Sequence, residues 1–448
     1  MFQKKVQQQP SLSIITADIM PFSLRAGWIC RSCRQTIKQS RRQLSTETTT
    51  QSTPPPAPPA AGFTKLPSRS LIAVYGQDAA HFLHGICTSA VPKTPSTPLG
   101  FYSAFLTGQG RLLFDTFIYP TSHSRTYRNT LPARIREKHG DQDSGYLIEV
   151  DASQALELQK HLKKYKLRAK IDLRVLDEGE CDVWSIWDET SQPWTPYPST
   201  TTPTSSATPN DLISLLDTRA PGMGQRLLLP SQNHSTSSLP DSITPLISPA
   251  ASATPSSAYP LRRYLRGIPE GPAEILSGTA LPAEHNIDVM SGIDFRKGCY
   301  IGQELTIRTH HTGIVRKRVL PVVLYPAAAG PTIEQSARML EYDPAARVTL
   351  PPPGGDIKPY ERPGRSAGKF VAGVGNVGLA LCRVEMMTDL VLTSDGQTNF
   401  KAEDEFAVAL ESDVGSEGGR EGGQTMIKAF VPEWMRGRIK VRAPLQRV

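Results

Sequence analysis

From about Phe63 onward, apolar residues fall into short runs, alternating or continuous, separated by Gly, Pro and Asp. That is the pattern of strands interrupted by a few helices. Ser70 to Tyr75 has strand length, and Gly76-Gln77-Asp78 follows it. Asp78 then serves as the N-cap of a helix with Ala79, Phe82, Leu83 and Ile86 on one face. Gly100 to Leu106 and Leu112 to Tyr119 flank the glycine-rich turn Thr107-Gly108-Gln109-Gly110-Arg111 and predict a hairpin. Tyr146 to Val150 predicts a strand, and Asp151 caps a helix running to about Lys164. Lys170 to Leu176 and Asp182 to Trp187 predict two more strands, so the region reads as α+β layers. From Ile314 on, the apolar runs are Val319 to Tyr325, Arg347 to Leu350, Val374 to Val384, Glu405 to Leu410 and Met426 to Phe430. Helical periodicity is scarce there, and short strands with Gly/Pro turns predict a small antiparallel barrel.

Polar stretches divide this pattern. Residues 47–62 are Pro/Thr-rich and read as an extended linker. Residues 121–144, 195–210 and 231–257 read as low-complexity insertions into surface loops. The expected organisation is a leader over 1–46, the linker, an α+β region over 63–313 and a barrel over 314–448. A chain of 448 residues needs more than one core in any case.

Charge changes the picture at the front. Residues 1–46 carry Lys4, Lys5, Arg25, Arg31, Arg34, Lys38, Arg41 and Arg42 against the single acid Asp18. Arg-rich, Ser-rich and acid-poor is the composition of a mitochondrial transit peptide, which directs the chain to the matrix. Arg42-Gln43-Leu44-Ser45 places the mature start near Ser45. Cleavage there removes part of the net charge of +8, and with it the Cys30-x-x-Cys33 pair. No apolar run approaches the roughly 18 residues of a membrane span. No basic helix carries interleaved aromatics. Neither a membrane nor a nucleic acid is an expected partner.

The chemistry-bearing stretch is Lys297-Gly298-Cys299-Tyr300-Ile301-Gly302-Gln303-Glu304. A thiol lies between two glycines, two residues after an ammonium that favours the thiolate form. Gln303 and Glu304 add an amide and a carboxylate. A lone cysteine is otherwise a small buried hydrophobe, and the residues alone leave both readings open. Cys87, Cys181, Cys299 and Cys382 are remote from one another in sequence, so a self-contained cluster with four thiolates is not expected. His310 and His311 are adjacent; on a strand they point to opposite faces and do not share a metal. Asp115 stands inside the apolar run Leu112 to Ile118, where a carboxylate must face solvent or a polar cavity.

Lys297 to Glu304 resembles the signature of the folate-binding, T-protein-like family that includes the bacterial YgfZ proteins. Leu281 to Arg318 is similar to the mitochondrial branch of that family. Gly110 to Asp115 resembles the T-protein segment bearing a catalytic aspartate near the folate, with Phe114 where T-proteins have a first aspartate. Arg263-Tyr264-Leu265-Arg266-Gly267 resembles the T-protein Arg-x-Glu-x-Gly segment, with Leu265 in place of the pterin-holding glutamate. The resemblance implies an aminomethyltransferase-like α+β fold with a C-terminal antiparallel β-barrel, of transferase type whether or not it turns over a reaction. It implies action in maturation of [4Fe–4S] proteins through Cys299 and Lys297, with A-type scaffold proteins as partners. It also implies tetrahydrofolate as cofactor, near Asp115, Arg263 and Gln303. A folate-dependent aminomethyltransferase and a tRNA-modification module are the alternatives it leaves.

Overall fold

A computed structural model describes residues 54–92, 100–121, 124, 145–190, 213–231, 249–327, 340–360, 364–392, 400–401, 403–410 and 423–439. The leader over 1–46 and the insertion over 195–210 lie outside these residues.

The first sheet is built from β2 (Arg69–Tyr75), β3 (Phe101–Leu106), β4 (Leu112–Pro120), β5 (Tyr146–Asp151) and β6 (Asp172–Val175), in the order β3-β4-β5-β2-β6. All its pairings are antiparallel. The period of two along a strand sorts its side chains. Ile72, Val74, Phe105, Phe114, Ile118, Ile148 and Val150 pack under α1 (Ala79–Ile86) and α2 (Ala155–Lys166). Leu71, Ala73, Phe117, Tyr119 and Leu147 face the other way, toward the second sheet. Asp78 does not cap α1 with its side chain; its carboxylate accepts from the Lys170 backbone N–H at 2.7 Å, tying α1 to the approach to β6.

The second sheet runs β10-β1-β7-β9-β8, from β1 (Ala61–Lys65), β7 (Cys181–Asp188), β8 (Ile213–Leu216), β9 (Gln225–Pro230) and β10 (Ser252–Ala253). Two of its strands arise where composition alone suggests none. Ser252–Ala253, in a Ser/Thr/Pro-rich stretch, pairs in parallel with Gly62 and Phe63. The proline segment before β1 is held by its carbonyls: Trp187 donates to Pro59 at 2.9 Å and Tyr342 to Pro55 at 2.5 Å.

The barrel closes in the order β11-β14-β13-β12-β15-β16. Its strands are β11 (Lys317–Pro326), β12 (Asp356–Pro359), β13 (Gly368–Val374), β14 (Val377–Arg383), β15 (Phe406–Ala409) and β16 (Gln424–Ala429). Closure follows from β11, which pairs with β14 on one side and β16 on the other. The run Val374 to Val384 is the end of one strand and the whole of the next, split by the tight turn at Gly375-Asn376. Arg347 to Leu350 forms no strand. The barrel docks on α3 (Ala258–Arg266), whose Tyr264 packs on Val319 and Leu379. Arg318 grips Asp288 with two hydrogen bonds, at 3.0 and 2.9 Å.

Candidate functional site

Asp115 shares its face of β4 with Phe117 and Tyr119, so it points between the two sheets. There it meets a buried lattice of charge. Arg69 of β2 donates to Glu149 of β5 at 2.7 Å. From the second sheet, Arg226 of β9 donates to the same Glu149 oxygen at 2.5 Å and to Glu270 at 2.9 Å. Arg219 binds Asp217 with two N–H groups, at 2.9 and 2.7 Å, and reaches Glu270 at 2.6 Å. Tyr259 of α3 donates to Glu270 at 2.6 Å and accepts from both Arg219 and Arg226. Beneath them, the Arg226 guanidinium lies 4.0 Å from the Phe117 ring centre and that of Arg219 lies 4.7 Å from it. The lattice thus joins both sheets, α3 and the loop after it.

Arg263 sets that loop. Its guanidinium clamps Glu274 at 2.7 and 2.8 Å and the Ile268 carbonyl at 2.9 Å. This bend carries Glu270 into the lattice and turns the Gly271 N–H onto Asp115 Oδ1 at 2.9 Å. Leu265, on the same helix, is half-buried and brings no carboxylate.

Four guanidiniums, from Arg69, Arg219, Arg226 and Arg263, meet five carboxyls there, from Asp115, Glu149, Asp217, Glu270 and Glu274. Burial alone would raise Glu270, but Arg69, Arg219, Arg226 and Arg263 outweigh it and hold its carboxyl well below the usual range. Asp217 is likewise held down against its burial, chiefly by Arg219. Asp115 goes the other way: burial pushes it up, and Arg69, 4.0 Å from Oδ2, only partly offsets that. Of Asp115, Asp217 and Glu270, it is therefore the one shifted toward the protonated form.

The lattice is incompletely satisfied. Asp115 Oδ2, both terminal nitrogens of Arg69 and the Tyr102 hydroxyl are enclosed and have no hydrogen-bond partner among the described residues. Buried polar groups normally have one. Donors and an acceptor left open side by side suit the polar edge of a small heterocycle.

The second candidate place is the Cys299 loop, and the sequence pairs its parts differently from the structure. All three Lys297 ammonium hydrogens are spent on backbone: the His84, Cys87 and Ser89 carbonyls accept at 2.6, 2.7 and 3.0 Å. Lys297 thus holds the end of α1, and burial lowers its pKa. The expected Lys297–Cys299 pairing gives way to this clamp, because the carbonyls it seeks lie over two hundred residues earlier. The Ile301 N–H adds a bond to the Gly85 carbonyl at 3.3 Å. Gln303 folds back too, its Oε1 accepting from the Tyr300 N–H at 3.1 Å, away from the lattice. On the other side, Gly302 lies against the β3–β4 turn: a Cβ there would stand 2.2 Å from the Thr107 carbonyl, at a φ of +78°. Gly110 of that turn is also tight: a Cβ there would stand 2.8 Å from the Gly302 carbonyl, at a φ of +80°. Cys299 itself is exposed, whereas Cys87 and Cys382 are buried and Cys181 is half-buried. The following residues form α4 (Gln303–Thr312), so His310 and His311 are helical neighbours. His310 stacks on Phe295 with ring centres 3.6 Å apart. Among the described residues, no three His, Cys, Asp or Glu side chains are placed to hold a metal.

Residues 316–437 match the family model described as the CAF17 C-terminal beta-barrel domain. An Aspergillus fumigatus protein described as "Iron-sulfur cluster assembly factor IBA57 homolog, mitochondrial" is 44% identical over 388 residues, covering 85% of this chain and 83% of that protein. The chain belongs to the IBA57 family. A Pyricularia oryzae IBA57 homolog of the same description is 45% identical over 92% of each chain. Among solved structures, the glycine cleavage system aminomethyltransferase T of Bartonella henselae superposes with a TM-score of 0.49 at 13% identity, over 86% of this chain and 88% of that one.

In this IBA57-family chain the residues singled out from sequence fall in two places. Asp115 and Arg263 belong to the lattice; Lys297, Cys299 and Gln303 belong to the loop. Strand β4 links them, its preceding turn touching Gly302 and its fourth residue being Asp115. Arg69, Glu149, Glu270 and Tyr259 escaped the sequence reading. Glu149 carried the same signal as Asp115, a charge inside an apolar run, Tyr-Leu-Ile-Glu-Val over 146–150.

Proposed function

We propose that the chain works in the mitochondrion as an iron–sulfur cluster assembly factor in the maturation of [4Fe–4S] proteins, lending the Cys299 thiolate to a cluster carried by a partner. One observation carries this reading: Cys299 is the exposed cysteine among the described ones, on a loop clamped from two sides. The relatives above are named mitochondrial iron-sulfur cluster assembly factors. A cluster takes about four thiolates; a single accessible one is a contribution to a shared site, and A-type scaffold proteins fit as the source of the others. On binding iron, the thiol gives up its proton and donates a sulfur lone pair, so a serine cannot replace it.

The unsatisfied atoms of Arg69, Tyr102 and Asp115 fit the polar edge of tetrahydrofolate, and these residues would hold it. Bound there, the cofactor would supply one-carbon carrier chemistry. The protein's share is to enclose it and to orient its polar edge with Arg69, Tyr102 and Asp115.

Cells depleted of the endogenous family member and rescued with Cys299→Ser test the thiol. The variant should accumulate normally and leave [4Fe–4S] enzyme activities at the depleted level. Full rescue by serine would remove Cys299 from the mechanism.

A further inference from the structure

Helix α2 packs Ala155, Leu158 and Leu162 against the first sheet and turns a different stripe outward. Leu156, Lys160, Lys163 and Leu167 follow one another at helical spacings of four, three and four residues, which puts them on one line about 16 Å long. Lys164, Lys166, Arg168 and Lys170 flank it. Glu157 is the acid at its start. None of the ion pairs among the described residues uses Lys160, Lys163, Lys164, Lys166, Arg168 or Lys170.

The two leucines are the unexpected part. Leu156 is 67% exposed and Leu167 86%. Leu167 also follows α2 at a φ of +43° and a ψ of −112°, a positive-φ conformation that suits glycine and not a side chain. A bulky apolar residue there strains the backbone and gains no burial in this chain. Its placement calls for a surface that takes up the side chain.

We infer that this face is a docking surface for a bilayer carrying anionic phospholipid. Charge complementarity sets the sign of the partner. The cations are five lysines and one arginine, point charges on flexible stems that suit a diffuse anionic field; bidentate grip on the carboxylates of a protein favours arginine. The exposed leucines at both ends suit shallow insertion between headgroups, with lysines around them, as in helices that lie on a membrane without crossing it. No helix among the described residues is long and apolar enough to cross one.

Flotation of the purified protein with vesicles tests this. Vesicles of phosphatidylcholine with about one third phosphatidylglycerol should carry the protein, and phosphatidylcholine alone should not. Each lysine near such a surface contributes about five-fold, so Lys160→Gln, Lys163→Gln and Lys164→Gln together should weaken binding about a hundred-fold. Raising salt should release the protein. Leu167→Gly should weaken binding with an unchanged or higher melting temperature, since glycine relieves the backbone. No enrichment on the anionic vesicles, or full enrichment of the triple variant, would overturn the inference. Binding that Leu167→Gly leaves intact and that polyglutamate competes away would assign the face to an acidic protein instead and overturn it equally.

Discussion

Asp115 and Glu270 share one buried lattice yet respond to pH with opposite sign. The Asp115 carboxyl is raised by burial, so between the ordinary range near pH 4 and its folded value the native state holds the extra proton. Its presence therefore subtracts stability as pH rises through that window. Asp115→Asn keeps the acceptor for the Gly271 N–H and removes the titration. The variant should melt a few degrees above the parent at pH 7 and level with it near pH 4, in paired melting curves at the two pH values. A parent that melts higher at both would show that Asp115 is stabilised as an anion. The sequence made Asp115 visible because a carboxylate interrupts an apolar run. It did not reveal the upward shift, which depends on Arg69 being held toward Glu149.

At the scale of elements, the strands β2 to β5 and helix α1 were legible because their alternation and turns are local. Helix α3 was hidden by its own buried face, which includes Arg262 and Arg263 along with Tyr259, Leu261 and Tyr264; charged residues at buried positions erase the hydropathy signal. Helix α4, Gln-Glu-Leu-Thr-Ile-Arg-Thr-His-His-Thr, is rich in β-branched residues and has almost no apolar stripe. The joint between α1 and the Cys299 loop was invisible for a different reason, being made by backbone carbonyls. Lys297→Met removes three charge-assisted bonds from that joint at once. Such bonds are worth about 1.5–3 kcal/mol each, though water can replace part of them at a half-buried site. The melting temperature should fall, and amide exchange should accelerate at 84–89 and 297–301 before it does in the barrel. Uniform acceleration over the whole chain would show that the clamp has no local role.

For the whole molecule, the lattice makes two sheets, a helix and a loop depend on the same carboxylates. Glu270 and Asp217 are depressed in the folded state. Their stabilisation is fully present above the ordinary carboxyl range and is lost as pH falls through their folded values, below about pH 4. Acid should therefore separate the sheets in one transition. Glu270→Gln should lower stability at pH 7 by about 3–5 kcal/mol, because it leaves buried guanidiniums short of charge, and should flatten the acid limb. Denaturant titrations at pH 7 and pH 3 check both statements. The barrel and layered α+β class were readable from strand lengths and turns. The inter-sheet lattice was not, since its members lie at positions from 69 to 274 and no local pattern relates them.

The contact between Gly110 and Gly302 has a kinetic meaning as well. These residues are separated by 192 positions along the chain, and the loop that shows the thiol to solvent cannot be shaped until they meet. Closing so long a segment is slow, and it follows the pairing of strands on which Gly110 sits. A nascent chain that has emerged only as far as the first sheet has the β3–β4 turn but not yet Gly302 or Cys299, and a complete chain trapped before the two glycines meet carries Cys299 on a segment without its clamp. The clamped geometry around the thiol is thus a late product of folding, since it needs residues from both ends of that segment in place.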